Sequence, residues 1–322
     1  LTSITYPAVA GVREQVGLTY DASGRPASVG AYVAGLAYNA RGAVTAATYG
    51  NGATVARTYS PTRGWMLSQT VTSGATVVDQ FAVTRALSGD ITARTSSVET
   101  RDAWAFGYDP FGRLTTANNT ADDTLDEAFT YDAIGNRLTA QRGTATSAYQ
   151  YPATGAARPH APTTVGGIAL RYDANGNRLG VGLSVDASYD ANNRLVDDGT
   201  TTYAYDAEGT RVRAGTKVFV RDLIEIEGAT STRYYYLGRE RVARRDQTGA
   251  VAYYHADSIG TVRALTSASG AVAGTRRGFA FGELAATTGL EDPFALAGAR
   301  RDGSGLYHLN ARMMDPARGQ FT

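Results

Sequence analysis

Two carboxylates near the end of the sequence, Asp302 and Asp315, are the residues whose types and spacing best suit chemistry. Carboxyl groups held close together do not both ionise easily. One keeps its proton and can act as an acid, while the other can activate water against a peptide carbonyl. Arg301 precedes Asp302 and would tune or orient such a pair. Each carboxylate also has a plain structural use, because Asp315-Pro316 is a turn dipeptide and Asp302-Gly303-Ser304-Gly305 is a turn signal. The three histidines are His160, His255 and His308, and no two of them have the helical spacing of a metal pair. His255 and Asp257 lie two apart on an expected strand and so on one face, where a structural hydrogen bond is expected rather than a metal. There is no Gly-Lys-Ser/Thr phosphate loop and no strand-to-helix Gly-x-Ser-x-Gly elbow. With no cysteine, disulfides and thiolate metal sites are excluded. No cofactor and no metal are expected.

The elements that must position these residues are strands. The chain has 322 residues, of which 43% are hydrophobic and 19% charged, enough apolar material for a large core and too little charge for a disordered chain. Its 37 glycines and 20 tyrosines suit turns and pleated strands respectively. Thirty-one basic and 30 acidic residues leave a formal charge of +1, so no general affinity for nucleic acid is expected. No run of eighteen apolar residues is present to span a membrane. The opening Leu1-Thr2-Ser3 reads as the interior of a longer protein.

One motif recurs: apolar, any residue, Tyr, Asp, two residues, Gly, then Arg at once or one residue later. It appears as Tyr20-Asp21-Ala22-Ser23-Gly24-Arg25, Tyr108-Asp109-Pro110-Phe111-Gly112-Arg113 and Tyr131-Asp132-Ala133-Ile134-Gly135-Asn136-Arg137. Further copies hold Tyr172-Asp173 with Gly176 and Tyr205-Asp206 with Gly209. Looser ones begin at Tyr38, Tyr59 and Tyr189, the last with Asn193 in the glycine position. Asp at the head of a β-turn accepts a backbone N–H two residues on. Gly supplies the left-handed residue of a type I turn with a bulge. Arg opens the returning strand, where it can stack on a neighbouring tyrosine or pair with aspartate. A residue repeated in every unit serves what every unit shares, so these Tyr, Asp and Arg residues are read as architecture. Gly24, Gly112, Gly135, Gly176 and Gly209 are expected at positive φ.

These copies resemble the YD repeats of Rhs proteins, of the C components of insecticidal toxin complexes and of teneurins, and the likeness covers nearly the whole chain. Tyr234-Tyr235-Tyr236-Leu237-Gly238-Arg239 resembles the segment before the end of the Rhs core. Tyr253-Tyr254-His255-Ala256-Asp257-Ser258-Ile259-Gly260-Thr261-Val262 is similar to the Rhs block Tyr-x-His-x-Asp-x-x-Gly-Ser-Val. Phe279-Ala280-Phe281-Gly282-Glu283 stands where the family has an aromatic-Asp-Pro-Phe-Gly-Glu turn. Gly305-Leu306-Tyr307, then Ala311-Arg312-Met313-Met314-Asp315-Pro316 and Gly319-Gln320-Phe321, match the core terminus in register. Met313 and Met314 replace its tyrosines and Gln320 its arginine.

The resemblance implies an all-β fold in which hairpins form a continuous spiralling curved sheet, a shell or barrel or an open part of one. It implies YD repeats over residues 1–233 and the core terminus over 234–322, continuous with the same sheet. By the same resemblance Asp302, Asp315 and Arg301 belong to an aspartic-type self-cleavage centre acting within its own chain, with no turnover enzyme. The cut and the toxic cargo domain would fall beyond Thr322. The expected function is a casing that encapsulates or presents that cargo, in a bacterial protein secreted or carried to the cell surface by a secretion system. The expected partners are the protein's own C-terminal toxin domain and an N-terminal shell portion or delivery component. The alternative is a surface adhesion protein binding carbohydrate or protein. Residues 151–164, with three prolines, are expected to connect turns of the sheet, and residues 285–293 to form a helical or loop excursion.

Overall fold

A computed structural model describes every residue except Leu1, Ala10, Val185 and Ala311. Ala311 of the terminal signature and Leu1 of the N-terminal reading therefore lie outside the described residues. Among the described residues there is no α-helix, only strands and two short 3-10 turns, Asp123–Leu125 and Leu296–Gly298. Among the described residues the strands pair antiparallel, and most join a strand to its successor in the chain. The all-β, YD-repeat architecture expected from the sequence is the one found.

The motif builds one hairpin, repeatedly. Asp21 accepts the backbone N–H groups of Ser23 and Arg25 on Oδ1 and the Arg25 Nε on Oδ2, at 2.8–2.9 Å. The Asp109 and Asp190 turns repeat the arrangement with Arg113 and Arg194. Where Asn follows the glycine, its Nδ2 takes over, as Asn136 does on Asp132 at 2.9 Å and Asn177 on Asp173 at 2.8 Å. The Arg25 amide, with further help from its side chain, holds the Asp21 carboxyl below its ordinary range. The strand register shifts by one just before the motif tyrosine at Tyr20, Tyr38, Tyr59, Tyr108, Tyr131, Tyr172 and Tyr189. That recurring bulge turns each strand and leaves Gly24, Gly112, Gly135, Gly176 and Gly209 at φ of 74–92°, as expected. Asn193 takes the same place at φ 58°. A Cβ on Gly112 would meet nothing within 4 Å, so only the backbone opposes substitution there. Gly112→Val is expected to cost on the order of 1–3 kcal/mol in urea unfolding.

A second device links one hairpin to the next. The hydroxyl of Tyr131 donates to the carbonyl of Leu114 at 2.8 Å, and Tyr38, Tyr59 and Tyr108 donate likewise to Pro26, Val44 and Ile91. The acceptor is each time the residue that opens the returning strand of the preceding unit. The arginine of that unit lies over the same ring, Arg25 at 4.5 Å from the Tyr38 centroid and Arg113 at 4.8 Å from that of Tyr131. Tyrosine is thus required, where phenylalanine would supply only the ring. Tyr131→Phe is expected to lose about 0.5–1.5 kcal/mol of stability, measurable in the same unfolding experiment.

The chain forms two compact units. One comprises Leu1–Ala82, Ala204–Phe279 and Leu284–Arg301; the other comprises Val83–Tyr203, Ala280–Glu283 and Asp302–Thr322. The core of the first packs Val16, Val33, Val55, Val71, Ile224 and Tyr235, with a second cluster of Tyr234, Tyr254, Leu265 and Phe294. It also buries charge: Asp79 receives Arg263 through Nε at 2.8 Å and Nη2 at 3.1 Å, and Arg277 at 3.2 Å. In the second unit Tyr149, Val165 and Leu170 form a smaller cluster.

Two local expectations need correcting. The excursion expected at residues 285–293 begins instead with a strand, Leu284–Gly289, paired with Val272–Gly278, where Thr287 and Thr288 suit an exposed strand. His255 and Asp257 do not share a strand face. A bulge separates His255 from Ala256, and Asp257 heads a YD-type turn whose Oδ1 accepts the amides of Ile259 and Thr261. His255 makes its hydrogen bond to Thr266 instead, 2.9 Å from Nε2 to Oγ1. Residues 151–163 hold no strand and lead into Thr164–Val165, the connection expected there.

Candidate functional site

The three candidate residues at the end of the chain stand in three different settings. Asp302 heads a turn of the repeated kind: its amide donates to the Leu306 carbonyl at 2.8 Å and its own carbonyl accepts from Gly305 at 2.9 Å. The turn signal read from Asp302-Gly303-Ser304-Gly305 is thus a complete hairpin motif. Arg301 is exposed, and its amide donates to the Pro293 carbonyl at 2.7 Å.

Asp315 is buried, at 5% exposure, on the strand Arg312–Asp315. Its Oδ2 pairs with Arg178 at 3.0 Å and Arg318 at 2.8 Å, while Oδ1 accepts the Arg318 amide at 3.3 Å. The strand Tyr307–Leu309 lies between Arg312–Asp315 and the turn headed by Asp302. At the spacing of neighbouring strands the two aspartate backbones are about 10 Å apart. Asp302 and Asp315 therefore occupy one small sheet without sharing a hydrogen-bonded backbone pair.

The second unit also places a tyrosine in the field of Asp302 that the sequence did not single out. The Tyr203 hydroxyl, on a ring 5% exposed, donates to Asp198 Oδ2 at 2.6 Å. Burial first, then the bond to Asp198 and the charges of Asp302 and Asp198, push this phenol far above its ordinary range, so it keeps its proton. Asp198 itself is held low, because hydrogen bonds from Thr200 and Tyr203 outweigh its burial. The hydroxyl's one proton is committed to Asp198 Oδ2. No cue at the level of motif would have found it, since Asp198 sits in a short loop of Asp, Gly and Thr that reads only as a turn. Among the described residues no cluster of three or more metal-ligating side chains occurs.

The fold has counterparts of known structure. The crystal structure of TcdB2-TccC3 matches 95% of this chain and 19% of its own, with a TM-score of 0.74 at 15% identity. The Photorhabdus luminescens Tc holotoxin pore matches the same share of both chains, with a TM-score of 0.68 at 14% identity. The chain has the YD-repeat fold of the Rhs type. No family model matches this chain. Two curated relatives are named for toxic or nucleolytic activity. Double-stranded DNA deaminase toxin A of Burkholderia cenocepacia (strain H111) is 28% identical over 291 residues, 73% of this chain and 20% of the relative. The tRNA3(Ser)-specific nuclease WapA of Bacillus spizizenii is 25% identical over 236 residues, 66% of this chain and 10% of the relative. The chain thus spans a fifth or less of the proteins it matches.

Proposed function

We propose that this Rhs-type chain is a section of casing wall that encloses or presents a toxic cargo. The observation that carries the reading is the fold match over 95% of the chain to toxin-complex proteins, joined to relatives that are themselves named as toxin or nuclease. The physical form suits the task. Hairpins tied by tyrosine hydroxyls and arginine stacking make a wall from local contacts, with no pocket required. Export to the outside of a bacterium, a cargo following Thr322 and a delivery or shell partner preceding the chain belong to the same proposal. So does self-cleavage just past the chain end, with Asp302 as the acting carboxyl and Arg301 and Asp315 as its companions.

The polypeptide that continues past Thr322 tests this directly. Under limited proteolysis the cargo segment is expected to survive while the wall is intact and to be degraded once the wall is unfolded. Equal digestion in both states would sink the casing reading. Adhesion by sugar stacking finds less support, because the motif tyrosines spend their hydroxyls on carbonyls and their faces on arginine. Saturable binding of the chain to cells or glycans would restore it.

A further inference from the structure

The last residues of the chain are gripped by side chains from distant strands of the same unit. Asp315 is closed in by two guanidiniums, and the one from Arg178 is itself only 7% exposed. The carbonyl of Arg318 accepts two donors at 3.1 Å, Arg137 Nη1 and the Tyr149 hydroxyl. Arg137 is held in turn, its guanidinium 4.0 Å from the Phe281 centroid and 5.1 Å from that of Phe129. Gly319 has φ of 58°, and a Cβ there would come within 2.6 Å and 2.9 Å of the Arg137 nitrogens. The turn after Asp315 is therefore shaped against Arg137, with no room for a side chain.

We infer that Arg178, Arg137 and Tyr149 are positioning residues that clamp residues 315–319 and fix the line on which the chain leaves this unit. Asp315 is the anchor of that clamp and not a proton-transfer group. Its Oδ2 faces the guanidiniums of Arg178 and Arg318 and its Oδ1 accepts the Arg318 amide, so the carboxyl is engaged in holding its own chain. Fixing the exit holds the following peptide bonds at a constant place, and a misplacement of 1 Å can slow a positioned reaction by about a hundredfold. The consequence for cleavage rests on the self-cleavage reading; the clamp itself does not.

Two measurements separate the two. In the polypeptide continuing past Thr322, Asp302→Asn is expected to abolish cutting. Arg178→Gln and Asp315→Asn should each slow it by about 10–100-fold without moving its pH profile. The double variant should be no slower than the slower single one, since both remove the same contact. Tyr149→Phe, which deletes one hydroxyl and is the variant least able to disturb folding, should slow cutting by a smaller factor. If Asp315→Asn abolishes cutting or displaces the pH profile, Asp315 is a chemical participant and the inference is overturned. Unchanged rates in Arg178→Gln overturn it equally. If the wild type stays whole, the self-cleavage reading fails and the clamp is judged in the present chain by amide exchange over 317–322. Exchange there should quicken at least about tenfold in Arg178→Gln while the 108–113 hairpin is unaffected; no change would refute the clamp.

Discussion

Asp79→Ala is expected to remove about 3–5 kcal/mol of stability, the usual cost of leaving a buried charge without its partner. The Asp79 carboxylate is fully buried, with Arg263 at 4% and Arg277 at 12% exposure on it. Arg263 also lies over the Phe81 ring at 4.8 Å, so it has no route to water once the carboxylate is gone. Urea unfolding of the wild type and the variant gives the difference directly. Asp79→Asn separates the charge from the shape: it keeps an acceptor but cannot neutralise two guanidiniums, so most of the loss should remain. A change below about 1 kcal/mol for Asp79→Ala would mean that the arginines relax to solvent, as exposed ion pairs do.

The same cluster marks the boundary of what the sequence could convey. The hairpin is legible because its physics closes within five residues: Asp21 reaches Ser23 and Arg25, and Gly24 supplies the dihedral. The linking bond of Tyr131 reaches back 17 residues to a backbone carbonyl, which has no residue identity to recognise. The choice of Tyr over Phe in every unit was the available sign of it. Asp79 and Arg263 are 184 residues apart, and nothing in the surrounding Val77-Val78-Asp79-Gln80-Phe81 announces a buried charge. At the candidate site the terminal signature singled out Asp302 and Asp315 but not the arginine paired with Asp315. That arginine, Arg178, comes from another strand far from the terminal segment in the sequence. The two compact units were also invisible, since each gathers three segments that are separate in the sequence.

Acid is expected to weaken the first unit before its turn carboxylates titrate, and His255 is the cause. The ring is 1% exposed, its Nε2 is bonded to Thr266, and its Nδ1 is buried with no partner. Tyr49 packs edge-on to it at 5.0 Å, and the groups that act on its charge are Asp79 and Arg57, the latter paired with Glu240. Burial, aided by Arg57 and opposed by Asp79, lowers the imidazole from 6.5 to about 4. Between those values the unfolded chain binds the proton that the folded chain refuses, so stability falls as the pH falls. The contribution is intact above about pH 6.5. At 1.36 kcal/mol per unit, about 3 kcal/mol should be lost on reaching pH 4. Asp21 and Asp246, turn carboxylates of the same unit, are held below their ordinary range and lose their own contributions mainly at lower pH. Glu127, raised chiefly by burial, acts in the opposite sense in the other unit and is common to the wild type and the variant. His255→Gln cannot titrate, yet its amide can still meet Thr266. Urea unfolding followed from pH 7 to pH 4 should therefore show a steeper decline for the wild type than for His255→Gln. The two curves should converge toward acid, and parallel curves would show that the folded chain accommodates the imidazolium after all.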